Sequence, residues 1–338
     1  MTCLFMFMFP FILLLILKKF VWNRENKSLE NVHVVVTGGS SGIGKCVAIE
    51  VARRGAHVTL VARDVEKLEA TKVEVIKNFL YPEKQKVQYV SLDVSDNYEV
   101  IERALLSTED DLGPIYMLVN CAGTAVCGRL DDMPVADIKN LVNLNFLGSV
   151  YPTRAVISLM KQRKKGCIVL VASEAAMLGI YGLTVYSGTK FAVRGLAEAL
   201  HMEVTHIPFS FHLSLRADGE SPGQAVQRES KPLETKLISE SGGLVAPDVV
   251  AKQMISDALV RVLLLYVVLL MLASLCIESV KQSAAAPARI IYKVVSMLPA
   301  SIASFVVLFT FQAITTKNIC SCAVQNSGMV GKVKLLQI

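Results

Sequence analysis

The sequence predicts an α/β fold in which helices cover both faces of a parallel sheet. Three observations carry this. Short β-branched runs recur between residues 30 and 257, separated by helix-length segments. The first run leads into a Gly-rich turn, Thr37-Gly38-Gly39-Ser40-Ser41-Gly42-Ile43-Gly44. Polar residues of chemical interest stand at the C-terminal ends of successive runs, the edge where ligands gather in open parallel sheets.

The first run, 32–36, is apolar and rich in β-branched residues, as expected of a strand buried on both faces. Glycines then let the backbone turn tightly, and Ile43-Gly44-Lys45 opens a helix whose N-terminus attracts phosphate. Gly38, Ser40, Ser41, Gly42, Ile43 and Gly44 are therefore expected to seat a dinucleotide pyrophosphate. Their spacing is Gly-x-x-x-Gly-x-Gly, not the GxGxxG of many dinucleotide folds. The second run, 57–61, is followed by Arg63, nineteen residues after Gly44. A carboxylate there would bind the ribose hydroxyls of NAD, whereas a cation accommodates a 2′-phosphate. Arg63, with Lys67 one helical turn on, thus points to NADPH. A solvated Arg at a strand end is the competing reading.

The third run, 87–94, brings Asp93 and Val94 to the adenine side, and the fourth, 117–123, carries Asn120 into a small-residue turn. The fifth, 168–173, ends on Ser173, and the sixth is 209–213. Strands alternating with helices and joined by right-handed crossovers make a Rossmann-type doubly wound sheet.

Ser173, Tyr186 and Lys190 form the expected catalytic set. Reducing a ketone takes a hydride on carbon and a proton on oxygen, and the protein supplies only the proton. A free phenol holds its proton until about pH 10, and an ammonium beside it favours the phenolate. Residues i and i+4 of a helix share a face, so Tyr186 and Lys190 can serve one site. Ser173, thirteen positions before Tyr186, would steady charge on the substrate oxygen. Each motif alone is weak, but order and spacing together point to carbonyl–alcohol redox chemistry.

These residues carry a resemblance. From about 30 to 257 the chain is similar to the short-chain dehydrogenase/reductase family, through Thr37–Gly44, Asn120-Cys-Ala-Gly123, Asn145-Phe-Leu-Gly148, Ser173 and Tyr186-Ser-Gly-Thr-Lys190. The resemblance implies Tyr186 as proton donor and Lys190 as both its modulator and a ribose ligand. It implies Ser173 polarising the carbonyl, Asn145 anchoring a water relay to Lys190, and Asn120 supporting the central strand and the adenosine side. A homodimer through helices around 146–160 and 186–205 is also implied. Stretches such as KPLETKLISE extend the likeness to family members that reduce a long-chain keto-lipid at the endoplasmic reticulum membrane. Steroid or retinoid reduction is the alternative substrate reading. One departure stands out: after the sixth run the family usually has a Pro-containing turn, where this chain reads Leu215-Arg-Ala-Asp-Gly-Glu-Ser-Pro-Gly223. A turn so altered leaves a third reading, a membrane-held nucleotide-binding protein with little turnover.

Hydrophobic residues make up 53% of the chain, and the excess sits at its two ends. Residues 1–17 are apolar apart from Thr2 and precede Lys18, Lys19, Arg24 and Lys27. A signal peptide carries its charge before the apolar run, so residues 1–22 are expected to be an uncleaved anchor whose C-terminal side is cytosolic, a hydrophobic leader lying on the interface being the competing reading. Within 258–338, residues 262–277 are a candidate span and 297–314, with Pro299 and Gln312, a second. For the second, a re-entrant or dimer-forming stretch competes equally. Eight scattered cysteines without a CxxC pair suit a reducing compartment, and five dispersed histidines predict no metal site. The net charge of +6 is spread out, with 161–165 its main basic run. No nucleic-acid partner is expected.

Overall fold

The computed structural model describes residues 28–177, 179–204, 209–212, 235 and 245–259. Six parallel strands run in the order β3-β2-β1-β4-β5-β6. They are β1 (His33–Thr37), β2 (His57–Ala62), β3 (Val87–Ser91), β4 (Ile115–Asn120), β5 (Cys167–Val171) and β6 (Phe209–His212). Between and after them lie α1 (Gly42–Arg53), α2 (Val65–Ile76), α3 (Tyr98–Leu112), α4 (Val135–Val142), α5 (Gly148–Arg163), α6 (Thr184–Glu203) and α7 (Pro247–Ala258). Strand order reverses between β1 and β4, so a crevice opens at the C-terminal ends of these two strands.

The all-apolar runs have a direct cause. Side chains alternate across a sheet, and both faces of this one are covered. Val34 and Val36 join the core shared with α1 and α7, while Val35 joins the core shared with α3, α5 and α6. Each of the three is fully buried, worth on the order of 1.5 to 3 kcal/mol apiece. Helices α2 and α3 start on side-chain caps, Asp64 accepting from the Lys67 amide and Asn97 from the Val100 amide.

The third strand stops at Ser91 rather than running on to 94. Its last partner is Ala62, where β2 also ends, so no ladder remains beyond that pair. Asp93 instead closes a local turn, its Oδ1 accepting from the Ser95 amide (2.9 Å) and hydroxyl (2.6 Å).

His33 opens β1 inside the core. Its Nδ1 lies 2.8 Å from the Gly113 carbonyl and its Nε2 2.8 Å from the Thr59 hydroxyl. Burial lowers its pKa from 6.5 to about 4 against a favourable Gly113 bond. The unfolded chain therefore binds the proton first as pH falls. Stability is complete above pH 6.5 and declines between 6.5 and 4 by roughly 3 kcal/mol. Pulse proteolysis in urea should show this acid limb in the native chain and a shallower one in His33→Gln.

The expected segments 1–22, 262–277 and 297–314 lie outside the described residues, as do 215–223. Among the described residues no helix is long and apolar enough to cross a membrane.

Candidate active site

The Gly-rich turn is shaped by contact with the turn after β4. Gly38 has φ +66°, and a Cβ there would sit 2.9 Å from the Ala122 Cα. A Cβ on Gly44 would overlap the Gly38 carbonyl, so α1 can start this close to β1 only with glycine. The Thr37 hydroxyl accepts from the Ala122 amide at 3.2 Å and ties the two turns together. At the head of α1, the Ser41 side chain makes no capping bond and the first turn holds no acid. Its first amides are thus left for an anion, unlike those of α2 and α3.

At the end of β2, Arg63 is 71% exposed, its Nη1 3.5 Å from Asp93 Oδ2. Partial burial works against the charged form of Asp93, but the Ser95 hydroxyl and amide and the Arg63 guanidinium together hold its carboxyl below the usual range. The Lys67 ammonium lies 2.6 Å from Asp64 Oδ2, beside Arg63 on the same rim.

The other end of the crevice holds the acid–base residues. Ser173 follows β5 by two positions, its Oγ accepting from the Ala175 amide at 3.2 Å. Tyr186 and Lys190 share a face of α6, with the Lys190 Nζ 5.7 Å from the Tyr186 ring centroid. Lys190 is 7% exposed and donates to the Val171 carbonyl at 3.1 Å. A buried ammonium held by β5 carries its charge to a fixed place.

Asn145 sits behind this wall, 1% exposed, in a π turn (Asn143–Leu147) that joins α4 to α5. Such turns are frequent at functional sites because they re-aim one side chain. Its Nδ2 donates to the Thr124 carbonyl (2.9 Å) and the Thr189 hydroxyl (3.1 Å), and its Oδ1 accepts from the Thr124 amide (2.8 Å). It therefore clamps the turn after β4 to α6. A Cβ on Gly123 would lie 3.1 Å from Asn145 Oδ1 and 3.7 Å from Lys190 Nζ, so Gly123 is what lets the two approach. Sequence reasoning saw 121–123 as a small-residue turn but missed this clamp, and Thr124 altogether. The only local signal was the smallness of those residues.

A cavity of about 660 Å³ joins the Gly-rich turn, the Arg63 rim and Tyr186. Every residue expected to bind the cofactor or act in catalysis lines it except Asn120 and Asn145. Asn120 is 2% exposed and faces α5, its Nδ2 donating to the Thr153 hydroxyl at 3.1 Å, while its Oδ1 has no partner among the described residues. Cys121 also lines the cavity; burial pushes its thiol up to about 12, although Lys190 opposes this, so it stays protonated. An uncapped helix N-terminus, an exposed cation at the β2 end and a trench between them fit a phosphorylated dinucleotide. Such a cofactor would supply the hydride.

Comparison with known proteins agrees with this geometry. The short chain dehydrogenase family matches residues 32–207. The chain is 46% identical to the 3-ketodihydrosphingosine reductase of Mus musculus over 251 residues, 74% of this chain and 75% of that one. It is 46% identical to the 3-dehydrosphinganine reductase of Danio rerio over 254 residues, 75% and 76% of the two chains. Among solved structures, the alcohol dehydrogenase of Thermococcus sibiricus complexed with 5-hydroxy-NADP is similar, with a TM-score of 0.56 and 27% identity over 69% of this chain and 90% of that one. Levodione reductase shares the fold at a TM-score of 0.60 and 22% identity over 70% and 91% of the two chains.

Proposed function

Because the chain belongs to the short chain dehydrogenase family, we propose that it reduces the 3-keto group of 3-ketodihydrosphingosine, giving dihydrosphingosine, with NADPH as reductant. The observation that carries this reading is 46% identity, over three quarters of each chain, to relatives named for that reaction. The chain is an oxidoreductase, and the reading is supported by Ser173, Tyr186, Lys190 and the Gly-rich turn all lining one cavity.

The residues divide the work. The α1 N-terminus and Ser40–Ser41 hold the pyrophosphate, and Arg63 with Lys67 receives the 2′-phosphate. The Ser173 hydroxyl donates to the ketone oxygen and steadies the charge that grows there. Tyr186 donates its proton to that oxygen as the carbon accepts hydride. Lys190, pinned to the Val171 carbonyl, stabilises the phenolate left behind, and Asn145 holds the wall in register through Thr124 and Thr189. NADPH oxidation by membranes containing the chain should respond to 3-ketodihydrosphingosine and not to steroid or retinal substrates. Turnover of another ketone in its place reassigns the substrate, and none at all leaves only nucleotide binding.

The enzyme works as a membrane protein of the endoplasmic reticulum with its catalytic domain in the cytosol, as a homodimer through α5 and α6. Residues 1–22 support the anchor, and Lys18, Lys19, Arg24 and Lys27 support its orientation. Protease added to sealed microsomes should digest the domain and spare a short N-terminal fragment. Full protection of the domain overturns this topology.

A further inference from the structure

Three parts of the fold converge on the turn between α1 and β2. At Ser28 the described chain begins, and the Leu29 amide donates to the Arg54 carbonyl at 2.8 Å. At Leu259 the last described stretch stops, one residue after α7, whose Ser256 hydroxyl accepts from the Arg54 guanidinium at 2.9 Å. The loop 77–86 hangs from the same turn, the Gln85 amide donating to the Ala52 and Ala56 carbonyls at 2.8 Å each. All three lie at the N-terminal edge of the strands, opposite the cavity, since α1, α2 and α7 end there and β1, β2 and β3 begin there.

That corner exposes apolar surface. Ile76 is 46% exposed, Leu80 50% and Tyr81 37%. Gln85 Oε1 accepts from the Tyr81 amide at 2.7 Å, so the loop is built and holds these side chains outward. Lysines frame them: Lys77, Lys84 with its Nζ 5.6 Å from the Tyr81 ring centroid, and Lys86. Arg53 stands beside them, bonded to Asn78. The acids of the corner are Glu30, Glu83, Glu50, which is paired with Arg54 at 2.6 Å, and Asp257, which accepts from the Gln253 side-chain amide at 2.8 Å, with Asp110 and Asp111 farther along the edge below β4. Basic residues around an apolar tip suit a surface of anionic lipid headgroups.

We propose that this edge is the face the domain rests on the membrane, with Ile76, Leu80 and Tyr81 in the headgroup layer of an anionic bilayer, resting on the reading of 1–22 and 262–277 as membrane segments. Chain length leaves little freedom. From Trp22 to Ser28 the backbone reaches no more than about 20 Å, and from Leu259 to Val262 about 11 Å. Two short tethers at one edge hold that edge to the bilayer. The cavity then opens away from the lipid, so a single-chain keto-lipid leaves the bilayer surface to reach Tyr186.

The full chain, reconstituted in vesicles of phosphatidylcholine and phosphatidylserine, tests this with photoreactive benzoylphenylalanine at Leu80 or at Leu130. Leu130 is 54% exposed on the cavity side, where the neighbouring Gly128 amide bonds the Gly182 carbonyl. Lipid cross-links at Leu80 and none at Leu130 are expected, with the Leu80 yield falling when phosphatidylserine is omitted. Labelling at Leu130 instead, or at neither position, in a chain that resists alkaline extraction overturns the face assignment and leaves the anchor standing. Release of the chain by alkali removes the anchor itself and the tether geometry with it. Equal Leu80 yields with and without phosphatidylserine overturn the role given to the lysines.

Discussion

Tyr186→Phe should fold, bind NADPH and lose nearly all turnover. The substitution keeps the ring on the face of α6 that Lys190 shares, with its Nζ 5.7 Å from the ring centroid, and removes only the hydroxyl. No other acid among the described residues replaces it at the wall. The Cys121 thiol, pushed up to about 12 by burial, donates poorly, and the Lys190 ammonium is engaged with the Val171 carbonyl at 3.1 Å. The loss should be on the order of 100- to 10,000-fold in kcat, with little change in NADPH affinity. Single-turnover kinetics with a bound-cofactor fluorescence signal would read both quantities. Near-normal turnover rules out Tyr186 as the proton donor. Lys190→Ala differs in kind: on the proposed reading one ammonium would serve both the phenol and the ribose, so turnover and NADPH affinity should fall together.

Arg63→Asp should reverse cofactor preference. The guanidinium is 71% exposed on the cavity rim, free to close on a 2′-phosphate in the bidentate manner that Arg favours. Losing a charge-assisted contact of that kind costs roughly 10- to 100-fold in NADPH affinity. The new carboxylate can accept from the ribose hydroxyls of NADH, though it stands near Asp93, which now lacks its cation. Titration of both cofactors against the native and altered chains is the measurement. Equal affinities in the native chain would show that Arg63 does not read the phosphate, and Lys67, held by Asp64 at 2.6 Å, would not rescue the assignment.

Much of this site was legible because it is local. The Gly-rich turn is written in eight successive positions, Thr37 to Gly44, and Tyr186 and Lys190 meet because four residues make about one helical turn. Arg63, Asp93 and Ser173 were placed by counting to the ends of apolar runs, and all three line the cavity. Where the count erred, as for a third strand ending at Ser91, the length of the neighbouring strand decided. The turn 215–223, expected to bear on activity, lies outside the described residues.

From its sequence alone the protein had its fold class, the succession of strands and helices along the chain and the residue types of its chemistry, since periodicity and dihedral preference act over a few residues. Side chains that meet across 20 to 200 positions were decided only by tertiary structure. Asn145 reaches Thr124 and Thr189 because a π turn rotates it off the surface of its helix, and Asn120 turns to Thr153 rather than to the cavity. Arg54 likewise meets distant partners, its carbonyl accepting from the Leu29 amide and its guanidinium donating to the Ser256 hydroxyl. Such contacts depend on where packed elements stop and how they cross, which no local pattern encodes.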